Sequence, residues 1–312
     1  MILKKEMISF LDARSLFNKI KINENLKTHS YLKIGGNADY YFEPESIDDL
    51  KYIIHFFNNL NIPIFIIGSG SNLIIRDGGF RGLVINLKNL NRIEINNNYI
   101  TAYAGVKLTK VSSVALNNSL KGLEFACGIP GTVGGAIIMN AGAYGNEIKD
   151  VLDELLILRN NELIKLKKDN ILFDYRKTSL YSDDIVIYAV FKLEHGNKQE
   201  IIDRVKYLQE QRSLKQPLDY PSCGSVFKRP KGYFAGKLIQ DCGLQGFRIG
   251  DAEVSLKHAN FILNKGNATS RDYIAVLEHV RNEVYNKMGI LLEEEVKIIG
   301  EELKNTWKCL QV

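Results

Sequence analysis

The sequence predicts an α+β fold spread over more than one domain, and three observations carry that prediction. The chain has 312 residues, beyond the length of about 250–300 at which a single hydrophobic core stops growing. Short apolar runs of strand length alternate with segments of helical spacing, as across 47–67 and 185–212. Glycine gathers in the connections, above all in Gly128-Ile-Pro-Gly-Thr-Val-Gly-Gly-Ala-Ile-Ile-Met-Asn-Ala-Gly-Ala-Tyr-Gly145.

The elements follow in order. Residues 7–20 have the spacing of an amphipathic helix, and 28–36 form a turn feeding a strand at 38–42. Ser46, with Asp49 three residues on, caps a helix at 47–60. Pro63 ends it, and 64–67 is a buried strand. Further strands are expected at 83–87, 92–95 and 99–104, a helix at 107–118, then strands at 154–159, 163–166 and 185–193. A helix at 198–212 leads to Pro217 and Pro221, which mark a domain boundary near 200. Beyond it come a short helix at 235–242, a strand at 261–263, and a long helix opened by Thr269 and Asp272 and closed by Gly289. In the last strand, 290–299, alternation puts Leu292, Val296 and Ile298 on one face and Glu293, Glu295 and Lys297 on the other.

Composition narrows the function. With 45% hydrophobic and 25% charged residues the chain is an ordinary globular protein. A net charge of +5 from dispersed Lys and Arg disfavours nucleic acid as a partner and suits small anionic ligands. Cys127, Cys223, Cys242 and Cys309 have no C-x-x-C spacing, so free thiols are expected and metal ligation is not. There is no cleavable leader and no apolar run near ~20 residues, so a cytoplasmic protein with no membrane partner is expected.

Two glycine-rich segments draw attention. In 128–145 almost every polar contact must come from the backbone, which glycine lets approach a ligand closely. The segment either cradles something flat or phosphorylated or is a packed turn. Gly68-Ser-Gly-Ser-Asn72 leads into a β-like run, not a helix, so a Rossmann reading fails. It is either a pyrophosphate loop or a hairpin turn. Tyr175-Arg176 places a guanidinium fork that either meets a carboxylate or enolate or pairs with Asp174 on the surface. Ser225 in Gly224-Ser-Val-Phe-Lys228 is a turn serine or a phosphate anchor, and lacks the G-x-S-x-G surroundings of a hydrolase. Glu295 faces solvent or a cleft.

Taken together in this order, these segments, with Asn140-Ala-Gly-Ala-Tyr144 and Leu292-Glu-Glu-Glu-Val296, resemble the UDP-N-acetylenolpyruvoylglucosamine reductase family over about 25–300. The resemblance implies a two-subdomain FAD-binding fold of the vanillyl-alcohol-oxidase type followed by a C-terminal α+β substrate domain. The expected division is 1–92, 93–200 and 201–312. It implies non-covalent FAD held by Gly68, Ser69, Gly70, Ser71, Asn72, Gly128, Pro130, Gly131, Thr132, Gly134, Gly135, Asn140 and Gly142. NADPH is the implied reductant and UDP-N-acetylglucosamine enolpyruvate the substrate. Arg176, Ser225 and Glu295 match the family's catalytic residues. Tyr175, Arg212, Lys215, Lys228 and Arg229 are expected to bind substrate, no metal is implied, and a monomer is expected. The chain departs from the family pattern at Glu294, usually proline, and at Lys297, often arginine. A flavin-dependent oxidase of a small alcohol and a basic RNA-binding protein are the rival readings.

Overall fold

The computed structural model describes residues 16–303. Most of the helix expected at 7–20, and Cys309, lie outside the described residues; Phe17–Lys19 form one 3-10 turn. Two compact units divide the chain. The first takes Tyr40–Ser69 and Leu83–Gln216 with the residues up to Lys21; the second takes Ile22–Asp39, Gly70–Gly82 and the chain from Pro217 onward. The expected division at 92 and 200 follows chain order, whereas these units follow packing.

In the first unit, Ser46 Oγ accepts the Asp49 N–H at 3.0 Å and opens the helix Ile47–Asn59. That bond satisfies one of the orphan donors of the first turn. Leu50, Ile53 and Phe57 are fully buried on one face of this helix. Strand Ile64–Ile67 then pairs in parallel with the second half of Phe80–Asn86, Ile64 opposite Leu83. A five-stranded antiparallel sheet follows, in the order Glu162–Lys167, Leu152–Arg159, Ile185–Lys192, Tyr99–Tyr103, Ile93–Asn96. Ile100 and Ala102, Leu155 and Ile157, and Ile187, Ala189 and Phe191 are all 0% exposed, so alternate residues of three adjacent strands share one core. The helix expected at 198–212 is Lys198–Lys215, opened by Asn197, and continues through Arg212.

The segment 128–145, read from sequence as a continuous loop, holds a short helix, Val133–Ile138, and a hairpin of Gly142–Ala143 with Asn146–Glu147. Glycines at 134 and 135 lower helix propensity, but Val133, Ala136 and Ile137 are buried, and packing decides over propensity in a single turn and a half.

In the second unit, three short antiparallel strands, Arg248–Ile249, Ala252–Val254 and Ile262–Asn264, pack with the helix Ser270–Met288. The first two strands were not expected, being too short to show a period. Tyr273, Val276, Leu277, Val280 and Val284 form the helix's buried stripe. Strand Leu73–Ile75 pairs in parallel with Lys297–Ile299. The strand expected over 290–299 is therefore regular only at its end; before that, single bonds hold it to another segment.

Two side chains start the long helix. Thr269 and Asp272 form a reciprocal capping box. Asp77, 193 residues away in sequence, accepts the Ser270 N–H at 2.9 Å and the Arg271 N–H at 3.3 Å, while its own N–H donates to Ser270 Oγ at 2.9 Å. Asp77→Ala removes the carboxylate from this helix start and is expected to destabilise the protein by about 1–2 kcal/mol. Urea unfolding checks this: the midpoint should fall with the slope unchanged.

Candidate functional site

The first unit brings Gly68 against the 128–135 segment. A Cβ at Gly68 would overlap Thr132 Oγ1, so only glycine lets the end of strand Ile64–Ile67 lie here. Thr132 is held in turn: the Val133 N–H donates to Val106 O at 2.8 Å and the Gly134 N–H to Ala104 O at 3.0 Å. Gly131, at φ +144, offers its carbonyl to the Leu108 N–H at 3.0 Å. Over 128–135 Thr132 is the sole polar side chain. A flavin nucleotide fits such a surface, since backbone groups can reach it without side chains intervening. Gln216, at the end of the helix Lys198–Lys215, has a buried Oε1 with no hydrogen-bond partner among the described residues.

Arg212 crosses this segment. A Cβ on Gly128 would lie 2.7 Å from Arg212 Cδ. Burial raises the pKa of Cys127 and of Tyr144, and the Arg212 charge opposes both shifts. Lys215 is exposed at the end of the same helix. Arg212 and Lys215 belong to the first unit and Lys228 and Arg229 to the second.

Tyr175 and Arg176 form the two-residue turn of a hairpin, Phe173–Asp174 with Lys177–Thr178. Asp174 accepts the Tyr175 N–H at 2.7 Å and so stays with the backbone. The Arg176 guanidinium donates to Gly142 O at 3.0 Å and lies 4.8 Å from the Tyr175 ring centroid. Its φ of +57 is unusual for a residue with a Cβ. Asn140 supports the hairpin from below. It is 0% exposed, its Nδ2 donates to Glu147 Oε2 at 2.8 Å and to Asp174 O at 3.2 Å, and its Oδ1 accepts the Lys149 N–H at 3.1 Å. Asn140, expected as a cofactor ligand, is buried, and its side-chain amide braces the hairpin.

The second unit brings Ser225 and Glu295 onto neighbouring chain segments. Ser225 forms a β-bridge with Phe261, and the Val226 N–H donates to Asn260 O at 2.9 Å. On the other edge the Glu295 N–H donates to Val226 O at 2.8 Å and the Lys228 N–H to Glu293 O at 2.8 Å. Asn72 reaches the same place: its Nδ2 donates to the Glu295 carbonyl at 3.0 Å. The expected alternation holds, with Leu292 2% and Val296 5% exposed, while Glu293 and Lys297 are exposed and Glu295 is partly buried. Glu293 pairs with Lys228, and Glu294 pairs with Arg281 at 2.8 Å. Arg229 stacks 4.0 Å over the Phe234 ring. Cys223, two residues from Ser225, is inert: burial pushes its thiol up to about 12, and it meets Tyr273 Oη at 3.0 Å.

Asn260 and Arg281 escaped the sequence reading. Neither belongs to a local motif, and each meets its partner only through folding, Asn260 33 residues away and Arg281 13 residues away.

Comparisons with known proteins agree with this arrangement. A family model described as "FAD binding domain" matches residues 38–165, and one described as "UDP-N-acetylenolpyruvoylglucosamine reductase, C-terminal domain" matches 216–299. The UDP-N-acetylenolpyruvoylglucosamine reductase of Clostridium tetani is 48% identical, over 96% of this chain and 99% of its own. That of Geobacillus kaustophilus is 53% identical, over 90% of this chain and 93% of its own. The crystal structure of UDP-N-acetylenolpyruvylglucosamine reductase from Thermus caldophilus superimposes with a TM-score of 0.78 at 31% identity, covering 89% of this chain and 97% of that one. On this likeness, sustained over nearly its whole length, the chain belongs to the UDP-N-acetylenolpyruvoylglucosamine reductase family and is an FAD-dependent oxidoreductase.

Proposed function

We propose that this protein reduces UDP-N-acetylglucosamine enolpyruvate to UDP-N-acetylmuramate, a peptidoglycan precursor, with NADPH as reductant. The observation that carries the reading is the pairing of Ser225 and Glu295 on adjacent segments through Val226. Gly68, Ser69, Gly70, Ser71 and Asn72, with Gly128, Pro130, Gly131, Thr132, Gly134, Gly135, Asn140 and Gly142, would hold FAD, which would supply hydride chemistry between NADPH and C3 of the enolpyruvyl group.

The chain's own residues manage charge and protons. Hydride arrival at C3 leaves negative charge at C2 and on the adjoining carboxylate. Arg176, preset by its turn and by Gly142 O, stabilises that charge; one such preorganised donor contributes about 3 kcal/mol. Ser225 then gives its hydroxyl proton to C2, and the alkoxide it becomes regains a proton from solvent. A serine is a weak acid, but an enolate is basic enough to take its proton at close range. Glu295, as a neutral acid, hydrogen-bonds the substrate's carboxylate as charge grows there. Lys228 and Arg229 in the second unit, and Arg212 and Lys215 in the first, carry the charge that a diphosphate requires, and Tyr175 offers a ring beside Arg176.

Anaerobic spectroscopy tests the whole reading. NADPH should bleach the flavin absorbance of the holoenzyme, and UDP-N-acetylglucosamine enolpyruvate should restore it within the mixing time of a turnover experiment. Bleaching with no recovery would favour an alcohol oxidase or dehydrogenase. Ser225→Ala should leave bleaching by NADPH intact and slow the recovery by about 10²-fold or more; equal slowing of both steps would remove the proton-donor role. Gly68→Ala should weaken FAD retention by about tenfold or more, because the added methyl drives Thr132 away. The flavin-to-protein absorbance ratio after dialysis measures it.

A further inference from the structure

We propose that Asn260 is a positioning residue for Ser225, its side chain standing in for a peptide group beside the segment that presents the serine. Asn260 is 6% exposed. Its Oδ1 accepts the Phe227 N–H at 3.0 Å, its Nδ2 donates to Phe227 O at 2.8 Å, and its backbone carbonyl accepts the Val226 N–H at 2.9 Å. One residue therefore satisfies three backbone groups of the segment that begins at Ser225: the Val226 N–H and both the N–H and the C=O of Phe227. Phe227 is 1% exposed, so water cannot replace the amide if it is removed.

The opposite edge of the same segment is tied to Glu295 and Glu293. Ser225-Val-Phe-Lys228 is thus a segment held by isolated bridges on both sides, with Asn260 and Phe261 on one side and the glutamate segment on the other. The amide sets how far the segment can slide or rotate, and hence where Ser225 Oγ stands relative to Glu295. Only a side chain with one donor and one acceptor can fill both roles at Phe227. Asn260 is itself braced. His258 Nδ1 lies 3.3 Å from its N–H, Ser255 Oγ accepts the His258 N–H at 3.2 Å, and the His258 ring meets Phe261 edge-on at 4.9 Å between centroids. Burial lowers the His258 pKa, which keeps the imidazole neutral and able to accept.

The inference rests on the proton-donor role of Ser225 given above. Its test uses Asn260→Asp, which keeps size and the acceptor but loses the donor to Phe227 O, together with Asn260→Ala and the double variant Ser225→Ala/Asn260→Asp. Both half-reactions are read on flavin-loaded enzyme, so loss of folded protein lowers the amplitude and does not change one rate relative to the other. Asn260→Asp and Asn260→Ala should bleach with NADPH at the wild-type rate and recover with the enolpyruvyl substrate about 10²-fold more slowly, the cost of a misplacement near 1 Å. The loss should fall on the rate at saturating substrate and not on KM. The double variant should recover no more slowly than Ser225→Ala by more than about threefold, because the two residues act through one group. Slow recovery in Ser225→Ala with normal recovery in both Asn260 variants overturns this inference and leaves the proton donor standing. Normal recovery in Ser225→Ala removes the proton donor, and this inference with it.

Discussion

Val226 is bonded on both sides, its N–H to Asn260 and its C=O to Glu295, and the placement of Ser225 beside the glutamate segment hangs on that pairing. Each such bond is worth only about 1 kcal/mol net, but a buried backbone group left without a partner costs about 1–3 kcal/mol. The arrangement is therefore enforced by what alternatives would leave unsatisfied more than by the strength of any bond. Ser225 precedes Val226, Glu295 answers it across the pair, and Asn72 anchors the carbonyl of Glu295 from a third segment. A small group of backbone bonds thus fixes an alcohol and a carboxyl that lie 70 positions apart in the sequence.

The first unit uses a different device. Its ligand-facing stretch is almost bare of side chains, so shape is imposed from beneath. Thr132 sits where Gly68 leaves room, and Arg212 lies across Gly128. The hairpin that carries Arg176 is gripped by Asn140, a fully buried residue whose amide is wholly engaged. Arg176 is held at φ +57, a conformation that costs roughly 1–3 kcal/mol away from glycine and persists because the hairpin register and Gly142 over-determine it.

Much of this was legible in the chain. The Ser46 and Thr269 caps, the strand alternation around Glu295 and the glycine turns are local signals, because caps, parity and φ depend on neighbours a few residues apart. The family resemblance added Arg176, Ser225 and Glu295 as a set. Other features were not legible. The helix at 133–138 hides among glycines because burial forms it. Asn140 looks like a loop amide and is an internal brace. Asn260 and Asp77 look like ordinary turn residues, yet one braces the Ser225 segment and the other opens a helix 193 positions away.

What the sequence determined by itself is the local inventory: most of the longer strands and helices, their caps, and where glycine leaves the backbone bare. These are properties of short windows. What tertiary structure alone decided is companionship. It placed 22–39 and 70–82 with the C-terminal part of the chain, divided the four basic residues into two sets, and chose asparagine amides to finish backbone pairings. Those outcomes depend on satisfying every buried donor and acceptor at once, and no window of sequence contains both partners.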